Sequence, residues 1–141
     1  MHRDRLSSFR DRFIARRRRR PSRAIPGLEP LEGRRLLTAS LDLTSGTLAF
    51  QTTEGAMNLS ISVDASDVYT FRDPTQTITL GAGAVGSGWP LSADSHTATG
   101  PASSLSSIAV VGDPGSYNDV VSVASTKAPT TITTGLGKDS F

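Results

Sequence analysis

Asp119 and Asp139 are the residues whose type and spacing could do chemistry. They close two related stretches, Gly112-Asp113-Pro114-Gly115-Ser116-Tyr117-Asn118-Asp119-Val120-Val121 and Gly135-Leu136-Gly137-Lys138-Asp139-Ser140-Phe141. Both read Gly, Gly, Asp, then an apolar residue two positions on, with the aspartates 20 positions apart. Glycines permit a tight turn, the apolar residue points into a stack, and an outward carboxylate is the hard oxygen donor that calcium takes. Asp119 and Asp139 are therefore candidate calcium ligands. The competing reading is that each caps its turn through the local backbone.

Catalytic constellations lack parts. His2 lies in a basic arm, and His96 sits in Ser95-His96-Thr97 without a second histidine or a carboxylate cluster. A histidine metal site or a Ser-His-Asp triad cannot be assembled from these. Asp64 and Asp67, three apart, read as a turn and not as an acid/base pair. Asn58-Leu59-Ser60 fits a glycosylation sequon and reads as strand edge. With no cysteine, a disulfide framework, a thiolate zinc site and a cysteine nucleophile are all excluded. No catalytic residue is assigned, and the chain reads as non-enzymatic.

The glycine-aspartate stretches resemble the calcium-binding β-roll repeats, whose nonapeptide is Gly-Gly-x-Gly-x-Asp-x-apolar-x. Residues 135–141 match it from the second glycine, with Thr134 in place of the first; residues 112–121 carry longer spacings. The resemblance implies stacked turns with calcium between them. Each motif also follows a β-rich run, which makes residues 108–141 two imperfect repeats with a period near 20. Phe141 occupies the apolar position of the second copy, so a truncated or longer array is expected, with neighbouring β-repeats as partners.

The elements that must position these residues are strands. From Leu41 onward apolar residues alternate, in Leu41-Asp42-Leu43, Thr47 to Phe50, Leu59 to Val63 and Val68 to Phe71. Thr75 to Leu80, Ser107 to Val111, Val120 to Val123 and Thr130 to Thr134 are strands by β-branched content. Gly81 to Pro90 reads as a small-residue loop from which Trp89 folds back as a core anchor, and residues 91–107 read mostly as loop. The expected fold class is all-β: a short β-solenoid or a sandwich-like β segment, after a disordered or weakly helical basic arm. The expected divisions are 1–27 arm and linker, 28–39 a short box, 40–107 a β-rich segment, and 108–141 the repeats.

Charge separates the arm from the rest. Residues 1–37 hold 12 Arg against 4 acids, a net of +8; residues 38–141 hold 3 basic residues against 9 acids, a net of −6, and the two sum to the chain's +2. Leu6, Phe9 and Phe13 share one helical face, and Arg16 to Arg20 form a self-repelling run stopped by Pro21. Such an arm suits an anionic membrane surface. It also suits nucleic acid, which is less favoured because the acidic domain behind it would repel the same phosphates.

Between arm and strands lies Leu28-Glu29-Pro30-Leu31-Glu32-Gly33-Arg34-Arg35-Leu36-Leu37-Thr38-Ala39. This resembles the LEPR-XLL box near the start of large planctomycete-type surface proteins. Leu31, Glu32, Arg34, Leu36 and Leu37 carry its elements, whereas Leu31 departs from the arginine of the literal name. The resemblance implies an export or sorting address read by a partner machinery through residues 28–39, and an extracellular or cell-surface location. The first apolar stretch, Leu36 to Leu41, is interrupted by polar residues and is shorter than the roughly 7–15 residues of a Sec-type signal. Two other functions remain open from the residues: a basic-arm nucleic-acid binder, and a fragment of a carbohydrate-active β-helix.

Overall fold

The computed structural model describes residues 37–141. The arm and linker at 1–27, and Leu31, Glu32, Arg34 and Leu36 of the box, lie outside the described residues. Among the described residues the fold is all-β, with nine strands in two sheets, one short α-helix and one turn of 3₁₀ helix at Ala102–Ser104.

The alternating segments become β1 (Thr38–Thr44), β2 (Thr47–Thr52), β3 (Asn58–Val63), β4 (Val68–Arg72) and β5 (Thr77–Leu80). After the helix α1 (Ala82–Gly86) come β6 (Thr97–Pro101), β7 (Ser107–Val111), β8 (Val120–Val123) and β9 (Thr130–Thr133). One sheet runs β5-β1-β2-β7-β9 and the other β6-β4-β3-β8. Leu37, Thr38 and Ala39 of the box belong to this unit: the Leu37 carbonyl accepts the Thr77 N–H at 2.9 Å, and Ala39 is buried in β1.

The pairings divide by direction. Hairpins β1–β2 and β3–β4, and the pair β4–β6, are antiparallel. The strands leading to and from the two aspartate motifs are parallel instead: β7 lies on β2, β9 on β7, and β8 on β3. Thr47 stands opposite Ser107 and Asn58 opposite Val120, while Ile108 stands opposite Thr130. An isolated parallel bridge joins Val120 to Ser140.

Period 2 in the sequence becomes the burial pattern, because alternate side chains leave a strand on opposite faces. Leu41, Leu48, Phe50, Leu59, Ile61, Tyr69, Phe71, Ile78, Ile108, Val110 and Val121 form one apolar cluster drawn from both sheets. Trp89 joins it edge-on to Phe71, with centroids 5.8 Å apart, as a core anchor.

Two segments expected as loop are ordered. The Gly81–Pro90 stretch contains α1, whose first N–H groups, on Gly83 and Ala84, are accepted by the Asp42 carboxylate at 3.0 and 3.3 Å. Residues 91–107 contain β6, a strand whose inward positions are Ala98 and Gly100. Gly100 lies under the Trp89 ring: a Cβ there would stand 2.1 Å from Trp89 Cε2.

Candidate functional site

The two sheets are joined at a corner where residues 53–57, 112–119 and 134–139 turn from one sheet to the other. Glycines make this close approach feasible. A Cβ at Gly135 would lie 2.2 Å from the Asp113 carbonyl oxygen, and one at Gly137 only 1.5 Å from that of Tyr117. The turns are packed backbone on backbone, so their polar groups need partners from the neighbouring turn.

Aspartate supplies them, twice and in the same way. Oδ1 of Asp119 accepts the Met57 N–H at 2.8 Å, and the next residue, Val120, donates its N–H to the Met57 carbonyl at 2.8 Å. Oδ1 of Asp139 accepts the Asp119 N–H at 3.0 Å, and Ser140 donates its N–H to the Asp119 carbonyl at 2.8 Å. In each case an Asp-X pair clasps both backbone groups of the residue at the equivalent corner position. Met57, Asp119 and Asp139 are thus successive positions of one column. A reverse contact 20 residues long reinforces the lower step, with Asn118 Oδ1 accepting the Lys138 N–H at 2.8 Å.

The upper end of the column is gripped from the other side. Asp73 is fully buried; its Oδ2 accepts the Asn58 N–H at 3.0 Å, and its Oδ1 accepts Thr75 N–H and hydroxyl and Gln76 N–H. The start of β3 is therefore held between two carboxylates, Asp73 and Asp119. His96 closes the adjoining loop, its Nδ1 lying 2.9 Å from the Asp73 carbonyl oxygen and 2.7 Å from that of Gln76. Because both neighbours are acceptors, Nδ1 carries the hydrogen. Asp64 and Asp67 form a turn, with Asp64 Oδ1 accepting the Ser66 and Val68 N–H groups.

The two column aspartates differ in surroundings. Asp119 is 0% exposed, and its Oδ2 has no hydrogen-bond partner. Burial pushes its carboxyl above the ordinary value, and the charges of Asp139, Asp113 and Asp73 push the same way against the lowering bond from Met57. Asp139 is partly open, and its Oδ2 accepts the Thr134 hydroxyl at 2.6 Å. That bond and the Asp119 N–H hold its carboxyl below the ordinary value. Besides burial, Asp119 lacks the partner that Asp139 has: Val111 pairs with Thr133, so Gly112 stands where Thr134 stands after β9 and brings no hydroxyl.

Sequence reasoning singled out Asp119 and Asp139, and the structure brings both into one column. Both carboxylates are expected from the sequence to turn outward, whereas that of Asp119 is buried against the Met57 N–H. Among the described residues no group of three or more His, Cys, Asp or Glu is gathered to hold a metal ion. Asp73, Asp42 and Tyr69 were missed as positioning residues. The Tyr69 hydroxyl accepts the Lys127 and Ala128 N–H groups at 2.6 and 3.0 Å and contacts Thr126 Oγ1 at 3.0 Å, fixing the turn between β8 and β9. Compared with known proteins, the chain matches no family model, no curated protein and no solved structure.

Proposed function

We propose that this chain is a non-enzymatic, exported or cell-surface structural protein of adhesion type, built on a short β-solenoid. In this reading residues 47–63, 107–123 and 130–140 are strand-corner-strand rungs, and residues 64–106 are an insertion between the first two. The observation that carries it is the repeated Asp-X clasp, which joins equivalent corner positions across 62 and then 20 residues. Polar side chains at this corner are spent on backbone groups of the neighbouring turn, the pattern of a scaffold. The parallel pairing β2-β7-β9 supports the same reading, because parallel neighbours in one sheet are what stacked rungs produce, with residues 64–106 inserted in the first connection.

The location rests on the box and arm. Leu31, Glu32, Arg34, Leu36 and Leu37 act as an export or sorting address, and the arginines before them favour an anionic surface. The test is to express the full chain in a bacterium that exports box-bearing proteins and assay it outside the cytoplasm. Alanine at Leu31, Glu32, Arg34 and Leu36, all before the start of β1 at Thr38, should retain the protein inside. Equal export of the two forms would remove the address. Calcium enters this reading as a ligand to be titrated at Asp119 and Asp139. A rise in unfolding midpoint at millimolar calcium, lost in Asp139→Asn, would support it, and no rise would remove it.

A further inference from the structure

We propose that residues 89–97 are an edge seal, one segment that closes β6 and β5 against strand addition by a second copy of this chain. The seal follows from the strand pairing and is independent of the solenoid reading.

β5 ends one sheet and β6 the other, and an end strand offers a second chain a row of free N–H and C=O groups. On β6 that row is occupied. The Thr97 N–H donates to Ser92 Oγ at 3.0 Å, the Thr97 carbonyl accepts the Ser92 N–H at 2.8 Å, and the Thr99 N–H donates to the Pro90 carbonyl at 3.2 Å. Alternation puts Pro101 next on this side, and proline has no N–H. Every outward donor of β6 is thus taken or missing. Leu91 adds an isolated antiparallel bridge to Ala98. The far end of the same segment reaches β5. Its Thr77 N–H donates toward β1, to the Leu37 carbonyl, so the Ile78 N–H points the other way, and there it donates to the Ser95 carbonyl at 2.7 Å. Just before β5, the Gln76 carbonyl accepts from His96 Nδ1 at 2.7 Å.

The segment is pinned at both ends. Trp89 enters the core with its ring against Gly100 and edge-on to Phe71, and its N–H donates back to the Ala84 carbonyl in α1. At the other end the His96 carbonyl accepts the Asp73 N–H at 3.0 Å, while its Nδ1 bonds the Asp73 carbonyl as well. Between the pins Asp94 Oδ1 accepts the Ser92 hydroxyl and the His96 N–H, which fixes a turn where Ser95 takes a φ of 58°. Ser92 therefore works twice, donating to Asp94 and accepting from Thr97. Neither β5 nor β6 carries an exposed large apolar side chain, so backbone pairing is the route a second copy has to these edges. The segment occupies that route on both sheets.

The experiment compares the full-length parent, S92A/H96A and S92A/H96A/T99P by sedimentation over a concentration series, with hydrogen exchange followed at single amides. The double variant removes the acceptor of the Thr97 N–H and the imidazole that bonds Gln76. At low concentration its Ile78 and Thr97 amides should exchange about tenfold faster than the parent's, the loss of one hydrogen bond. At higher concentration it should associate beyond the parent at the same concentration. Thr99→Pro removes an outward donor and leaves the β4 side intact, so the triple variant should return to the parent's mass. An unchanged mass in S92A/H96A, unchanged exchange at Ile78 and Thr97, or association that survives T99P would overturn the proposal. Should S92A/H96A unfold throughout, Asp94→Ala, which alters an exposed side chain, is read against the same outcomes. Export and calcium titration read the box and the corner aspartates, so either can fail while the seal holds, and the reverse.

Discussion

The Asp139 carboxylate lies 3.0 Å from the Asp119 backbone nitrogen and repeats, 20 residues further on, the bond by which Asp119 holds Met57. Two aspartates in one motif thus do one mechanical job in two environments, one sealed and one open. That difference gives the variants opposite expectations.

Asp119→Ala leaves the buried Met57 N–H without an acceptor and should destabilise the fold by about 1–3 kcal/mol. Asp119→Asn keeps an oxygen for Met57 and removes the cost of burying a charge, so it should stay close to the parent. Asp139→Ala exposes its partner group nearer to water and should lose less than Asp119→Ala. Urea unfolding midpoints of the three variants give the order, and a larger loss for Asp139→Ala would contradict the column.

Stability should respond to pH with two signs. Asp139 is held below its ordinary 3.8, so its contribution is present above that value and is lost as pH falls through the lowered one. Asp119 is raised above 3.8 by burial, so the fold binds its proton more tightly than the unfolded chain does. Its contribution is present below 3.8 and is lost as pH rises through the raised value. Denaturation midpoints from about pH 2 to about pH 7 should therefore show less acid loss in Asp139→Asn and a flatter alkaline side in Asp119→Asn. An unchanged profile in both would refute these assignments.

Gly137→Ala would place a methyl group 1.5 Å from the Tyr117 carbonyl oxygen, backbone against backbone, and should cost about 1–3 kcal/mol or prevent folding. Gly86→Ala is the control. No atom lies within 4 Å of its Cβ position in α1, so it should be neutral or stabilise by up to about 1 kcal/mol. Thermal midpoints separate the two.

Tyr69→Phe keeps the ring in the core but removes the acceptor for the Lys127 and Ala128 N–H groups. The expected loss is about 1–3 kcal/mol, with faster hydrogen exchange at residues 127 and 128 than elsewhere in the sheets. Uniform acceleration across β7 and β9 would mean that the turn between β8 and β9 is not held by this hydroxyl.

The strands were legible because their signal is local. Alternation in Leu59-Ser60-Ile61 and Val68-Tyr69-Thr70-Phe71 names both the strand and its buried face, and Leu59, Ile61, Tyr69 and Phe71 are buried. β6 was not legible, since Thr-Ala-Thr-Gly-Pro carries no large apolar residue, and the space above Gly100 is filled by Trp89 from another segment. Nor was α1, whose Gly-rich sequence opposes a helix and whose first turn is held by Asp42, some 41 residues earlier.

By itself the sequence determined the all-β class, the positions of most strands, the glycine-aspartate period and the separation of a basic arm from an acidic domain. These follow from neighbouring residues, through side-chain alternation and turn sterics. Which strands lie parallel, and what Asp119 and Asp139 do, only the tertiary structure decided. A carboxylate's role is set by the donor it meets, and the donor for Asp119 is the backbone of Met57, 62 residues away.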